Sequence, residues 1–402
     1  MTDRSTGSDR LTAATALFDG ERLTLARQLA GLRKSDLAAA IEKSPTAVAA
    51  WESGNKRPAA ATVAQLALSL SVAPGFFAVR PDNGTASSAP HFRSLRSTSQ
   101  RARDQARAYG RLALDVASGL EVHVEFPIPA VPSFPVDADD SGDEPEQAAR
   151  LLREKWGVTP GPTGHLVRLL ENHGVLVIFS PPQTATVDAY SFDSRLRPIV
   201  VLNPIKHDYY RQRFDVAHEL GHLVMHADAE PGARVVEEQA HRFAAELLMP
   251  ADQIRDHLPR TMGGHAWRNL GKLKEKWGVS MQALLYRARR LGVLGDVSYR
   301  NAMATITTRG WRRDEPGLVK VVEQPSLLPK AVELLEHAGI EEHRLLEHQH
   351  VPAHLFRLVT ARTPTTGSTP SAHAAGEHTT SLFEVREQGA NSEPTSIDQR
   401  NS

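Results

Sequence analysis

The run Phe214-Asp215-Val216-Ala217-His218-Glu219-Leu220-Gly221-His222-Leu223-Val224-Met225-His226 constrains this chain more than any other stretch. Its background is apolar and helix-forming. On a helix, positions four apart share a face, so the rings of His218 and His222 can converge on one metal ion. Glu219 sits one residue on, where a carboxylate reaches a water at the metal without binding the metal itself. Two neutral imidazoles suit zinc, and the carboxylate can take the proton of a water attacking a carbonyl. A lone pattern of this kind also fits an ordinary charged helix face, so its surroundings decide.

The chain contains no cysteine, which excludes disulfides and thiolate ligands and leaves only nitrogen and oxygen donors for a metal. The same absence fits a reducing cytoplasm, the expected location. Its 402 residues allow two or three domains, and 47 basic residues balance 47 acidic ones, so net charge gives no global signal for nucleic acid. The opening MTDRSTGSDRLTAATALF is polar and lacks the apolar centre of a signal peptide. No apolar run approaches the ~20 residues of a membrane span, so no membrane partner is expected.

Composition divides the chain into a flexible N-terminus (1–17), an Ala/Leu-rich helical region (18–80), a linker with an arginine-rich helix (81–146), a mixed helix and strand region (147–296), a C-terminal helical extension (297–360) and a disordered tail (361–402). In the second zone Leu23, Leu25, Ala26 and Leu29 mark a helix. Ser35 is placed to cap another over Asp36–Glu42, Pro45–Glu52 forms a third stopped by Gly54, and Thr62–Leu70 a fourth. Two short helices joined by a tight turn give either a helix-turn-helix or a small bundle used for protein contacts. Arg93, Arg96, Arg101, Arg103, Arg107 and Arg111 line the following stretch, read as a solvated linker helix or a DNA contact.

Ahead of the histidine run, Gly164–Asn172 reads as a helix, and Gly174–Phe179, Val187–Phe192 and Pro198–Leu202 as strands. An edge of such a sheet can hold an extended substrate beside the metal. A catalytic zinc takes three protein ligands and keeps a fourth place open. The helix Arg234–Met249 offers the third: Glu237 lies on the inward face with 241, 244 and 248, whereas Glu238 is turned about a hundred degrees away. Ala240, Ala244, Ala245 and Gly221 would let the two helices approach closely. His241 is placed to orient a ligand, and Tyr190, His226, His241 and Arg213 are the candidates to stabilise an oxyanion. Downstream, Trp267–Gly292 shows a second helix–turn–helix pattern made basic by Lys272, Lys274, Lys276, Arg287, Arg289 and Arg290, with packing as its main role and nucleic-acid contact as the alternative.

Two resemblances rest on these residues. Lys34 to Pro58, ending in Trp51-Glu52-Ser53-Gly54-x-x-x-Pro58, resembles the Cro/cI-type (XRE) helix-turn-helix family. It implies base reading by Ser44, Thr46 and Ala47, phosphate contacts by Lys56 and Arg57, and double-stranded operator DNA as partner. The third helix carries Ala and Pro where that family often has Arg, Gln or Asn. The histidine run followed by Glu237-x-x-Ala240-His241-Arg242-Phe243-Ala244-Ala245-Glu246-Leu247-Leu248-Met249-Pro250 resembles the ImmA/IrrE metallopeptidases over about residues 147–296. It implies zinc held by His218, His222 and Glu237, Glu219 as general base, and cleavage of a repressor-type protein. That family usually has Asn or Asp where this chain has His241. The expected fold class is α+β and mainly helical, an N-terminal all-α helix-turn-helix bundle followed by a small zincin-like domain with a short sheet packed on the HExxH helix.

Three functions compete for this sequence. One is a DNA-binding transcriptional regulator fused to a zinc endopeptidase. Another is a DNA-binding regulator whose zinc domain is a sensor or scaffold without significant peptidase activity. The last is an interaction module of toxin–antitoxin or phage type. A homodimer is compatible with each.

Overall fold

The computed structural model describes residues 11–78, 91–92, 99–137, 142–181, 189–205, 208–226 and 233–363. Residues 1–10, Arg93, Arg96, Val187 and the tail from residue 364 lie outside the described residues.

A helical stretch over 11–16, with Ala14 buried, stands where a flexible N-terminus was expected, and four short helices follow it: α1 (Gly20–Leu29), α2 (Lys34–Ala40), α3 (Pro45–Glu52) and α4 (Ala60–Ser69). Asp19 caps α1 by accepting from Glu21 N–H at 2.9 Å. Ser44 caps α3 by accepting from Ala47 N–H at 3.2 Å, ahead of Pro45, whose missing donor costs nothing in a first turn. α2 starts earlier than Ser35 suggests. Arg33 is its N-cap, and the Asp36 carboxylate turns back to accept the Arg33 N–H at 2.9 Å. It also stops at Ala40 rather than Glu42, because the chain reverses there with Glu42 at φ 55°.

The Trp51-Glu52-Ser53-Gly54 phrase is a packing device. Trp51 is buried, and Glu52 accepts two bonds from the Arg27 guanidinium, at 2.5 and 3.1 Å, tying the end of α3 to α1. Gly20 lies so close beneath this corner that a Cβ would sit 2.2 Å from the Trp51 carbonyl oxygen.

α5 (Gln100–Glu121) is the stretch read as a linker helix, and it is a core element instead. Tyr109, Leu112, Ala113, Val116, Ala117 and Leu120 form a buried stripe at helical spacing. Arg101 and Arg107 stay in water on the other side, and Arg111 reaches Glu21 at 3.0 Å. An ion pair from Arg22 to Asp115 fastens α1 to it.

The sheet has the order β1 (His91–Phe92), β3 (Ala189–Phe192), β4 (Ile199–Leu202), β2 (Leu176–Phe179), with β2 parallel to β4 and the other pairs antiparallel. Alternation along the strands divides them between two cores. Leu176, Ile178, Tyr190, Phe192, Ile199 and Val201 join the N-terminal helices and α5. Val177, Phe179, Ala189, Val200 and Leu202 join the histidine helix. Gly110 of α5 lets Phe192 in, since a Cβ there would meet the ring at 2.6 Å.

Around this sheet stand α6 (Glu144–Lys155), α7 (Leu166–Asn172), α8 (Tyr209–Met225), α9 (Arg234–Leu248), α10 (Ala251–Ile254), α11 (Gly264–Trp277), α12 (Met281–Arg290), α13 (Asp296–Thr308), α14 (Leu327–His337), α15 (Glu342–Gln349) and α16 (Ala353–Val359). The C-terminal helices serve both cores: Ala302 and Ile306 of α13 join the core that also holds the inner residues of α8, and Leu328, Leu335 and Phe356 pack with α5. The basic pair α11–α12 is largely a packing unit. Gly278 closes α11 at φ 65° and Ser280 caps α12, while Lys274 and Arg287 are buried against Glu315 and Glu246.

Gly20→Ala should lower stability by about 1–3 kcal/mol, because the clash is with backbone and cannot be relieved by a rotamer change. Helix propensity alone gives the opposite sign, so a denaturant titration of the two proteins separates the two effects.

Candidate metal centre

The site is made by two helices in close contact. Asp208 caps α8, accepting from Tyr210 and Arg211 N–H at 2.9 and 3.2 Å. Across from it α9 presents Ala240, Phe243 and Ala244, all fully buried. Gly221 is the point of contact. A Cβ there would lie 2.9 Å from the Phe243 ring, so a larger residue would push α9, and Glu237 with it, away from the histidines.

His218 and His222 are wholly buried, with their Nε2 atoms 3.1 Å apart. The Glu237 carboxylate lies 3.2 Å from His218 Nε2 and 3.7 Å from His222 Nε2. One ligand atom from each of the three falls within 4.8 Å of the others. Tetrahedral zinc with Zn–N bonds of ~2.0–2.1 Å holds its nitrogens ~3.3 Å apart, so spacing and donor chemistry both fit that ion. Glu238 faces elsewhere, accepting from the Tyr286 hydroxyl at 2.8 Å.

A relay behind His222 fixes its tautomer. Gln239 donates from Nε2 to the Asp137 carbonyl at 2.8 Å, which turns its amide oxygen toward His226 Nε2 at 3.0 Å. That oxygen only accepts, so His226 carries its proton on Nε2 and, neutral, leaves Nδ1 as an acceptor. His222 Nδ1, 3.1 Å away, then donates, and the lone pair of His222 stays on Nε2, facing Glu237. His226 thus acts on a candidate ligand rather than on a substrate. His241 Nδ1–H donates to the Glu237 carbonyl at 3.0 Å, and its ring stands edge-on to His218 at 4.6 Å.

Glu219 is fully buried on the sheet side of α8. Ser191 of β3, also fully buried, donates to Glu219 Oε2 at 2.8 Å and lies 3.2 Å from the Glu219 carbonyl oxygen. Sequence reasoning missed both Ser191 and Gln239. The signal for each was a polar residue inside a buried apolar pattern: Ser191 within Ala-Tyr-Ser-Phe, and Gln239 between Val236 and Phe243 on the inner stripe of α9.

Two oxyanion candidates are not brought to the site. Tyr190 points to the opposite face of the sheet, as strand parity requires once Ser191 faces Glu219, and donates to the Ala106 carbonyl at 2.7 Å. Burial pushes its hydroxyl well above its ordinary pKa. Arg213 has all five N–H groups committed, to Gly278 O, Gly164 O, Glu323, Thr163 O and Thr163 Oγ1, and knits distant loops together. The segment before α6, read as linker, contributes too. Phe134 N–H bonds to Val224 O at 2.8 Å, laying the chain along α8 so that Asp137 can close the relay.

In the helix-turn-helix, Ser44 and Thr46 are exposed at the start of α3, with Ala47 half-buried behind them. Lys56 and Arg57 are exposed in the following loop, where Arg57 also donates to the Ala16 carbonyl at 2.9 Å. No helix among the described residues is long and apolar enough to cross a membrane.

Residues 23–77 match the helix-turn-helix family, and residues 170–289 match the IrrE N-terminal-like domain family of M78 peptidases. The second match spans β2 to α12 and contains His218, Glu219, His222 and Glu237. No curated protein matches the chain.

Gln239→Leu should keep the fold and weaken zinc binding about 10–100-fold, because the tautomer of His222 is no longer fixed. Competition with a chromogenic chelator measures this, and unchanged affinity would contradict the relay.

Proposed function

We propose, from the premise that the chain joins an XRE-type helix-turn-helix to a domain of the ImmA/IrrE peptidase type, that it is a DNA-binding regulator whose second domain is a zinc endopeptidase acting on a repressor-type protein. The observation that carries this reading is the convergence of His218, His222 and Glu237 beside a buried Glu219. Zinc bound there supplies Lewis acidity toward a peptide carbonyl and an attacking water. His218 and His222 offer neutral nitrogens, and Glu237 brings the negative charge that suits a divalent cation. Glu219 takes the proton of the attacking water and passes it to the leaving amine nitrogen. Ser191 donates to one Glu219 oxygen and so helps to orient the carboxylate before it acts. The helix-turn-helix would bring this chemistry to a protein already sitting on DNA, which is why a repressor suits as substrate.

The core shared by α1, α5 and the sheet favours a second reading, in which the zinc fold is a scaffold or sensor for the DNA-binding domain. Cleavage decides between them. Glu219→Gln should retain zinc and lose roughly 10²–10⁴-fold in cleavage, with the product of the neighbouring gene assayed as the substrate. A variant that still cuts would overturn Glu219 as the base, whereas a parent that never cuts while operator binding survives removal of all three candidate ligands would favour the scaffold.

For the DNA-binding half, Ser44 and Thr46 are the base-facing residues and Lys56 and Arg57 the phosphate contacts. Lys56→Ala with Arg57→Ala should weaken binding evenly across sequences and flatten the slope of log K against log salt by about 2. A salt series by fluorescence anisotropy reads this out.

A further inference from the structure

A polypeptide in extended form binds a sheet by adding to an edge, where backbone N–H and C=O groups lack partners. β2 forms one edge here. On the other side, apart from the two-residue β1, the outermost strand is β3, which adjoins the candidate centre because Ser191 touches the Glu219 carboxylate. A peptide laid along the outer side of β3 would run past Glu219 and the His218, His222 and Glu237 cluster. That position is already taken. β1, residues His91 and Phe92 of the same chain, pairs antiparallel with β3, His91 opposite Ser191 and Phe92 opposite Tyr190.

We propose that the outer edge of β3 is the polypeptide-binding strand of this site and that His91–Phe92 is its internal competitor, which a substrate displaces. The inference rests on the peptidase reading for the fate of a bound peptide, but the binding itself does not. Two residues offer few ladder bonds, so a longer extended segment can make more of them and take the edge. The competitor acts through its effective concentration, which tethering keeps high, rather than through strong contacts. It also fits a peptidase that must not cut indiscriminately, since an unselected peptide has to outbid a strand that is always present.

The test uses zinc-loaded full-length protein carrying Glu219→Gln, so that nothing is cleaved, and a fluorescein-labelled peptide copying residues 87–97, SSAPHFRSLRS. His91→Pro and Phe92→Pro are made separately in that background, because only one of the two N–H groups points at β3. Removing the competitor should tighten peptide binding about tenfold or more in at least one of them. Equal binding by parent and both variants would overturn the proposal. Hydrogen exchange in the parent guards against a misfolded variant: saturating peptide should speed exchange at whichever of the His91 and Phe92 amides bonds β3, and unchanged exchange at both would overturn it as well. If the proline variants bind tightly but the Glu219 protein cleaves nothing, the peptidase reading fails and this one stands. If the protein cleaves its repressor while binding is indifferent to residues 91–92, the reverse holds.

Discussion

The contact between α8 and α9 is what the candidate centre depends on, because its three converging side chains are divided between them. His218 and His222 come from one helix and Glu237 from the other, and the two approach at Gly221 against Phe243. Small residues at Ala240 and Ala244 keep the gap closed over the next turn. Interiors packed at crystal density transmit displacement rather than absorb it, so a shift at Gly221 would be felt at Glu237. The burial of both histidines adds a second demand. Desolvated imidazoles must have their protons placed, and the chain through His226, Gln239 and Asp137 places them.

The sheet joins this centre to the rest of the molecule. Its strands are four residues long or shorter, and alternate residues enter different cores. Ser191 serves Glu219 while its neighbours Tyr190 and Phe192 lie among the N-terminal helices. The helix-turn-helix therefore shares its core with the peptidase-like fold through α5. Repacking at Phe192 or Gly110 acts on both sides of the sheet at once.

Features set by short-range periodicity were legible in the sequence. The four-residue spacing of His218 and His222, the inward placement of Glu237 against Glu238, and the need for Gly221 all come from helix geometry. Short apolar runs bounded by turn residues likewise gave β2, β3 and β4. Strand parity was not legible, because a fully apolar strand buried on both faces does not say which residues face the helix, and so Tyr190 was expected at a site it turns away from. Arg213 shows a different limit: its partner Glu323 lies 110 residues on, and no local pattern encodes that meeting. α5 was obscured by its arginines, which line one face while a buried stripe runs along the other. Ser191 and Gln239 gain their meaning only from what they touch.

The relay behind His222 ends on a main-chain carbonyl, Asp137 O, in a segment that lies along the end of α8 through bonds such as Phe134 N–H to Val224 O. Folding of that segment and the readiness of a ligand are therefore parts of one equilibrium. An ion that prefers the ordered relay lends its binding free energy to the docking of residues 127–137, and a chelator withdraws it. Protease sensitivity of that segment would then report whether the centre holds a metal ion. With no thiolate among the donors, that report would track metal supply and acidity and stay indifferent to oxidants.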